Sequence, residues 1–252
     1  MKSVRPQRKP FLIIQLRPED ETSDSEYYAF LKYGHLEEKD VCRLRVESTG
    51  IPHDLDLDKY SAIIVGGSPF DISLPQKQKA TIQKRIEADF EQLFDRILPM
   101  DYPFLGACSG CGLLGHYLGA KVSNKYHENV GAKTISLTAA AKLDPLLLGF
   151  PTKIRVLLGH KESPESLPPC ATLLCVGEDA PIQMFRVHKN IYATQFHPEG
   201  DPEGFATRIN TYKHHGYFMA DQAKEIIDAV KNEDAPYPKE ILRRFVQRYK
   251  DR

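Results

Sequence analysis

Two solid apolar runs, FLIIQL (Phe11–Leu16) and SAIIVGG (Ser61–Gly67), constrain the fold more than any other feature of the chain. Neither alternates polar with apolar, so neither suits a strand with one wet face. Unbroken runs of this length are what strands buried on both faces carry. From Gln76 to Leu98 the period changes. Ile82, Ile86, Phe90, Leu93 and Ile97 recur at helical spacing, with Lys84, Arg85, Asp89 and Gln92 on the other side. Strand and helix therefore alternate in the first half, which predicts an α/β fold with a mostly parallel central sheet flanked by helices.

The second half is denser in strands. AKTISLT, TKIRVLLGH, ATLLCVGE, PIQMFRV and IYATQFH are each short enough for one strand, and their close spacing predicts a partly antiparallel sheet between Ala132 and Phe196. Helical patterning returns in DQAKEIIDAVK and PKEILRRFVQRYK. In the latter, Ile241, Leu242, Phe245, Val246 and Tyr249 form one apolar stripe, and Arg243, Arg244, Arg248 and Lys250 are expected to face solvent. The expected organisation is a loose tail over residues 1–10 and a single domain over 11–252, with its C-terminal helices from about residue 202.

Charge excludes some partners. Lys plus Arg total 34, as do Asp plus Glu, so no net charge draws the chain to nucleic acid or an anionic membrane. The longest apolar runs are too short to cross a bilayer, and MKSVRPQRKP lacks the apolar core of a signal peptide. Five cysteines, an odd number spread over a long chain, are no disulfide framework. A reducing cytoplasm is the expected compartment.

The stretch PFLGACSGCGLLGHYL holds Cys108 and Cys111 among glycines. Cys-x-x-Cys fits a redox pair, half a zinc site, or one nucleophile on a sharp turn. A zinc site needs about four ligands, and no second Cys-x-x-Cys follows. Gly106 and Gly110 flank Cys108 at −2 and +2, the Gly-x-nucleophile-x-Gly pattern of a strained strand-to-helix turn. A thiol there sits at a helix N-terminus, whose dipole favours thiolate, and the Ser109 amide is placed to meet an oxyanion. Cys111 falls in the first helical turn and reads as structural.

A nucleophilic thiol needs a base. In QFHPEG, Pro198 pushes His197 toward extended geometry, so His197 and Glu199 project to one side, the carboxylate orienting the imidazole. In IIVGGSP a buried strand breaks into Gly66-Gly67, and the Gly67 amide is the expected second oxyanion donor.

Three motifs, Gly66-Gly67-Ser68-Pro69, Leu105-Gly106-Ala107-Cys108-Ser109-Gly110 and Gln195-Phe196-His197-Pro198-Glu199, stand in an order and spacing that resemble class I glutamine amidotransferases of the Cys-His-Glu triad type. The overall look is most like stand-alone proteins related to the amidotransferase domain of GMP synthase. The resemblance implies that Cys108 attacks the side-chain amide of glutamine to form a γ-glutamyl thioester. Ammonia leaves, and His197 then activates water. It implies no metal and no organic cofactor for this half-reaction. Gly112 stands where that family usually has Gln, sometimes Met, which implies a roomier site open to larger γ-glutamyl amides or peptides. Tyr126, Asn129 and Val130 fall where relatives place a strand lining the substrate pocket. His160 is expected to be a hydrogen-bonded structural residue. No phosphate-binding Gly-rich loop is present, so any ammonia-accepting synthetase is a separate chain, or there is none. The competing readings are a cysteine hydrolase like the PfpI and DJ-1 group, and a catalytically silent regulatory module.

Overall fold

The computed structural model describes residues 8–252, and the first seven residues of the expected tail lie outside them. Residues 9 and 10 are not loose: Ser61 donates its hydroxyl to the Lys9 carbonyl at 2.7 Å and its amide to that of Pro10 at 2.9 Å.

The chain runs β1 (Phe11–Gln15), α1 (Asp20–Gly34), β2 (Val41–Arg45), α2 (Val46–Thr49), β3 (Ile63–Val65), α3 (Thr81–Ile97), β4 (Phe104–Ala107) and α4 (Ser109–Tyr117). There follow β5 (Val122–Ser123), β6 (Glu128–Leu137), β7 (Lys153–His160), β8 (Ser163–Pro164), β9 (Ala171–Val176), β10 (Met184–Val187) and β11 (Ile191–Thr194). Helices α5 (Pro202–Tyr212), α6 (Ala223–Val230) and α7 (Pro236–Tyr249) close it. Among the described residues, nine strands form one mixed sheet in the order β2-β1-β3-β4-β11-β10-β9-β6-β7, and β5 pairs with β8 apart from it. From β2 to β11 the pairings are parallel; from β11 to β7 they are antiparallel.

The unbroken apolar runs are explained by two covered faces. Phe11, Ile13, Ile64 and Leu105 pack toward α1 and the α7 stripe of Ile241, Leu242, Phe245 and Val246. Their neighbours Leu12, Ile14, Ile63, Val65 and Phe104 pack on the other side, against Ile86, Phe90, Leu93, Phe94 and Ile97 of α3 and Leu114 of α4. Burying each such side chain contributes about 1.5–3 kcal/mol. Asp89, expected on the wet face of α3, is buried instead and accepts the Ile51 amide at 2.9 Å. The basic residues of α7 are also engaged: Arg243 and Arg244 both pair with Glu240, and Arg244 reaches the carbonyls of Leu146 and Leu148. Among the described residues, no helix is long and apolar enough to cross a membrane.

Four adjacent parallel strands, β1, β3, β4 and β11, end at one edge. Ligands of open α/β sheets bind at the carboxyl ends of such strands. Arg17 follows β1, Gly66 to Ser68 follow β3, Cys108 follows β4, and His197 follows β11.

Candidate functional site

Cys108 sits at the junction of β4 and α4 with φ 50° and ψ −96°, a left-handed backbone for a residue with a side chain. Such a conformation costs about 1–3 kcal/mol and persists only where its surroundings impose it. Here they do. The Cys108 amide donates to Thr194 of β11 at 2.8 Å, and the Gly112 amide donates back to the Cys108 carbonyl at 3.0 Å. A Cβ at Gly106 would lie 2.8 Å from the Gly110 carbonyl carbon, so the small residue is required by the tightness of the turn. Cys111 is fully buried in α4, against the α3 face of the sheet.

His197 Nδ1 lies 2.7 Å from Glu199 Oε1, and both side chains are buried. Burial lowers the imidazole below its usual value, with Glu199 opposing that shift. Burial likewise disfavours the Glu199 carboxylate, but the charges of His197 and Arg208 override it and hold the group well below the usual carboxylate range. Cys108 is reached through a cavity yet enclosed by protein, and burial pushes its thiol up to about 11 against the pull of Arg17 and Arg208.

Helix α5 builds one wall. Asp201 caps it, accepting the Gly204 amide at 2.8 Å, and Pro202 occupies its first turn. Phe205, Arg208, Ile209 and Tyr212 then share one helical face, and all four line the cavity with Cys108 and His197.

Behind Cys108, His197 and Glu199 lies a buried ion network that the sequence did not announce. Arg208 Nη2 donates to Glu199 Oε1 at 2.8 Å and lies 3.7 Å from Glu26 Oε2. Arg17 Nε donates to Glu26 Oε2 at 2.8 Å. Glu26 also accepts the Gly67 amide at 3.2 Å. The Gly67 amide, expected as the second oxyanion donor, is thus engaged by Glu26. A Cβ at Gly67 would lie 2.5 Å from Arg17 Nη2 and 2.9 Å from His197 Cε1, so the glycine admits those two side chains. A Cβ at Gly66 would collide with the Glu26 carboxylate. Ser68, the next residue, lines the cavity; its amide donates to Ser109 Oγ at 2.8 Å.

Gly112 lines the cavity with Cys108, but the room expected beside it is filled. Ile72 Cδ1 lies 2.8 Å from where its Cβ would be, and the Ile72 amide is held by the Glu162 carboxylate. That side of the cavity measures about 20 Å³. Val130 lines the Cys108 cavity and Asn129 a larger cleft outside it. Tyr126 lines neither; its carbonyl accepts Ser163 Oγ and its ring lies under Lys125. His160 is buried, with Nε2 2.9 Å from Glu128 Oε2. Tyr217, in the segment after α5, covers the site and donates to the Ser68 carbonyl at 3.3 Å.

Among the described residues, Glu26, His197 and Glu199 place ligand atoms within 4.8 Å of one another. Arg17 and Arg208 already neutralise the two carboxylates, so a cation would compete with two guanidinium groups.

Residues 30–215 match the family described as glutamine amidotransferase class-I. The chain belongs to that family. The glutamine-hydrolyzing GMP synthase subunit from Thermoplasma volcanium is 25% identical over 205 residues, 80% of this chain and 94% of the relative. The protein of the same description from Picrophilus torridus is 26% identical over 183 residues, 71% of this chain and 89% of the relative. The crystal structure of a glutamine amidotransferase from Thermotoga maritima shares the fold with a TM-score of 0.76 at 21% identity, covering 98% of this chain and 100% of that one.

Proposed function

We propose that the chain hydrolyses the side-chain amide of glutamine or a related γ-glutamyl amide, with Cys108 as nucleophile, His197 as base and Glu199 as its orienting partner. The observation that carries this reading is the His197–Glu199 pair at 2.7 Å in the cavity that Cys108 floors from its strained turn. The Cys108 proton passes to His197 as sulfur bonds to the γ-carbonyl carbon. The C–N bond then breaks, and the leaving amine takes that proton. Water next gives a proton to His197, attacks the thioester carbon and releases glutamate, and the sulfur is reprotonated. Glu199 keeps the imidazole oriented and favours its charged form in both steps.

The Ser109 amide, first in α4, serves as one oxyanion donor. Ser68 supplies the second in place of Gly67, once the Ser109 hydroxyl turns away from the Ser68 amide. Names of relatives support glutamine as a substrate and a separate synthetase chain as the acceptor of ammonia. Five free cysteines support a reducing, cytoplasmic setting.

The test is glutamate release from glutamine and from a panel of γ-glutamyl amides by wild-type protein and by Cys108→Ala. Loss of turnover by about a thousandfold or more is expected on removing the nucleophile. Undiminished hydrolysis by the variant would refute the assignment.

A further inference from the structure

The cavity at Cys108 has two lobes that share Cys108, Ser68 and Tyr217. One is walled by Ser109, Gly112, Ile72 and Gln195; the other, about 40 Å³, by His197, Arg17, Arg208 and the apolar face of α5. The imidazole must hand its proton to the departing nitrogen, so the lobe beside His197 receives the leaving group. The acyl chain then reaches Cys108 by way of the other lobe, whose Asp71, His160, Lys161 and Glu162 also border the larger cleft outside.

The leaving-group lobe has an unusual wall. Arg208 is 7% exposed, and among the described residues its Nε and Nη1 have no hydrogen-bond partner, although Nη2 is paired with Glu199 Oε1, whose Oε2 is unpartnered as well. Unanswered donors on a buried guanidinium are costly, and an arriving oxygen acceptor would remove that cost. Arg17 lines the same lobe, with its Nε turned to Glu26. Glu199 and Glu26 balance the two charges overall. Arg17 and Arg208 both favour an anion at Cys108, with Glu199 and Glu26 opposing them.

We propose that this lobe is an anion subsite that reads a carboxylate on the leaving amine, so that the favoured substrates are γ-glutamyl amino acids. The inference rests on the thioester reading above and adds to it the chemical class of the leaving group. The lobe accommodates the carboxylate itself. Its walls Val130, Tyr217 and Phe218 also border a cleft of about 920 Å³, which has room for the rest of an amino acid. That outer cleft carries Asp71, Glu128, Glu162 and Glu225 beside Lys161, so a cationic leaving group is the competing class the test must include.

The first measurement needs no turnover. Intact protein is alkylated with iodoacetate or iodoacetamide, and the rates at Cys108 and at exposed Cys170 are read by mass spectrometry of their peptides. Sulfur displaces iodide in both reactions, so thiol acidity cancels in the rate ratio. The iodoacetate-to-iodoacetamide ratio at Cys108 should exceed that at Cys170 by about tenfold, the worth of one charge-assisted hydrogen bond, and should fall to the Cys170 value in Arg208→Gln. Equal ratios at the two cysteines, or a ratio unchanged by the substitution, would overturn the subsite. If Arg208→Gln does not fold, the wild-type protein decides. Glycine should slow alkylation of Cys108 by iodoacetamide and ethylamine should not; protection by ethylamine alone overturns the proposal.

The second measurement compares kcat/KM for γ-glutamylglycine, γ-glutamylethylamide and a γ-glutamyl diamine. The anionic leaving group should lead by about tenfold, with the lead lost in Arg208→Gln. Preference for the diamine would assign selectivity to the outer acidic cleft and overturn the inference. Failure of the thioester reading is seen separately, as γ-glutamyl turnover that survives Cys108→Ala.

Discussion

Replacing Arg208 by Gln removes one of two guanidinium groups that balance two fully buried carboxylates, Glu26 and Glu199. Breaking a buried ion pair by deleting one partner costs about 3–5 kcal/mol, because the remaining charge is left uncompensated. Here each carboxylate keeps another partner: Glu199 has His197 at 2.7 Å, and Glu26 has Arg17 at 2.8 Å. The cost should therefore fall at the lower end, about 3 kcal/mol. For a chain of this size that is a fall in Tm of about 6–12 °C.

The effect carries a pH signature. In the folded protein the Glu199 pKa is depressed, although burial alone would raise it, because His197 and Arg208 favour the charged form. A depressed carboxylate contributes stability that is present above its unfolded value, about 4.3, and is lost as pH falls below it. The gap between wild type and Arg208→Gln should therefore be full at pH 7 and narrow below about pH 4. Urea unfolding followed by circular dichroism measures it, since the chain has no Trp to report by fluorescence. The double variant Glu199→Gln/Arg208→Gln should lose less than the sum of the single losses, by about 1 kcal/mol or more. A loss under about 1 kcal/mol at neutral pH would be that of an ordinary surface pair and would refute the reasoning, as would a gap that ignores pH.

Gly106→Ala places a Cβ 2.8 Å from both the Gly110 carbonyl carbon and Phe104 Cε1. It should cost about 1–3 kcal/mol in thermal melts, and displacement of the Cys108 turn should cut glutamate release by about a hundredfold. Native alkylation should mark exposed Cys170 readily and spare Cys111 and Cys175, whose thiols burial raises, that of Cys175 to about 12; rapid labelling of Cys111 would contradict its packing in α4. Burial lowers His197, and as the proposed base it must be neutral to act, so the acid limb of kcat/KM should lie below pH 6.5. Glu199→Gln removes a charge that raises His197 and should move that limb further acid, while reducing the rate.

The parts of the site legible in the sequence are those whose chemistry is local. Cys108 is marked by glycines at −2 and +2, and His197 and Glu199 meet because an extended chain turns alternate residues the same way. The fold was legible where burial imposes a pattern, as in the unbroken runs of β1 and β3 and the helical stripes of α3 and α7. Helix α1 escaped because its buried residues include Thr22, Ser23 and Glu26, so its inner face does not read as apolar. Strand β2 escaped because it is half-buried throughout and carries Arg43 and Arg45.

Arg17, Glu26 and Arg208 escaped for a different reason. Their partnerships are made by the sheet edge, where β1, β3, β4 and β11 end together, and no spacing in the chain encodes that meeting. Yet a signal was available. After Asp201-Pro202 opens α5, Phe205, Arg208, Ile209 and Tyr212 fall on one face, and an arginine among three large apolar side chains is out of place on a helix that packs inward. A charge so placed must be answered. Glu199 lies only nine residues before it, at the end of a motif that already demanded an ionised carboxylate. The same reasoning extends to Arg17, which follows a strand buried on both faces and so stands where a ligand would meet the sheet. Charged residues at the ends of solid apolar strands, and on the inner faces of the helices that follow catalytic motifs, thus mark the site walls that motif spacing alone leaves out.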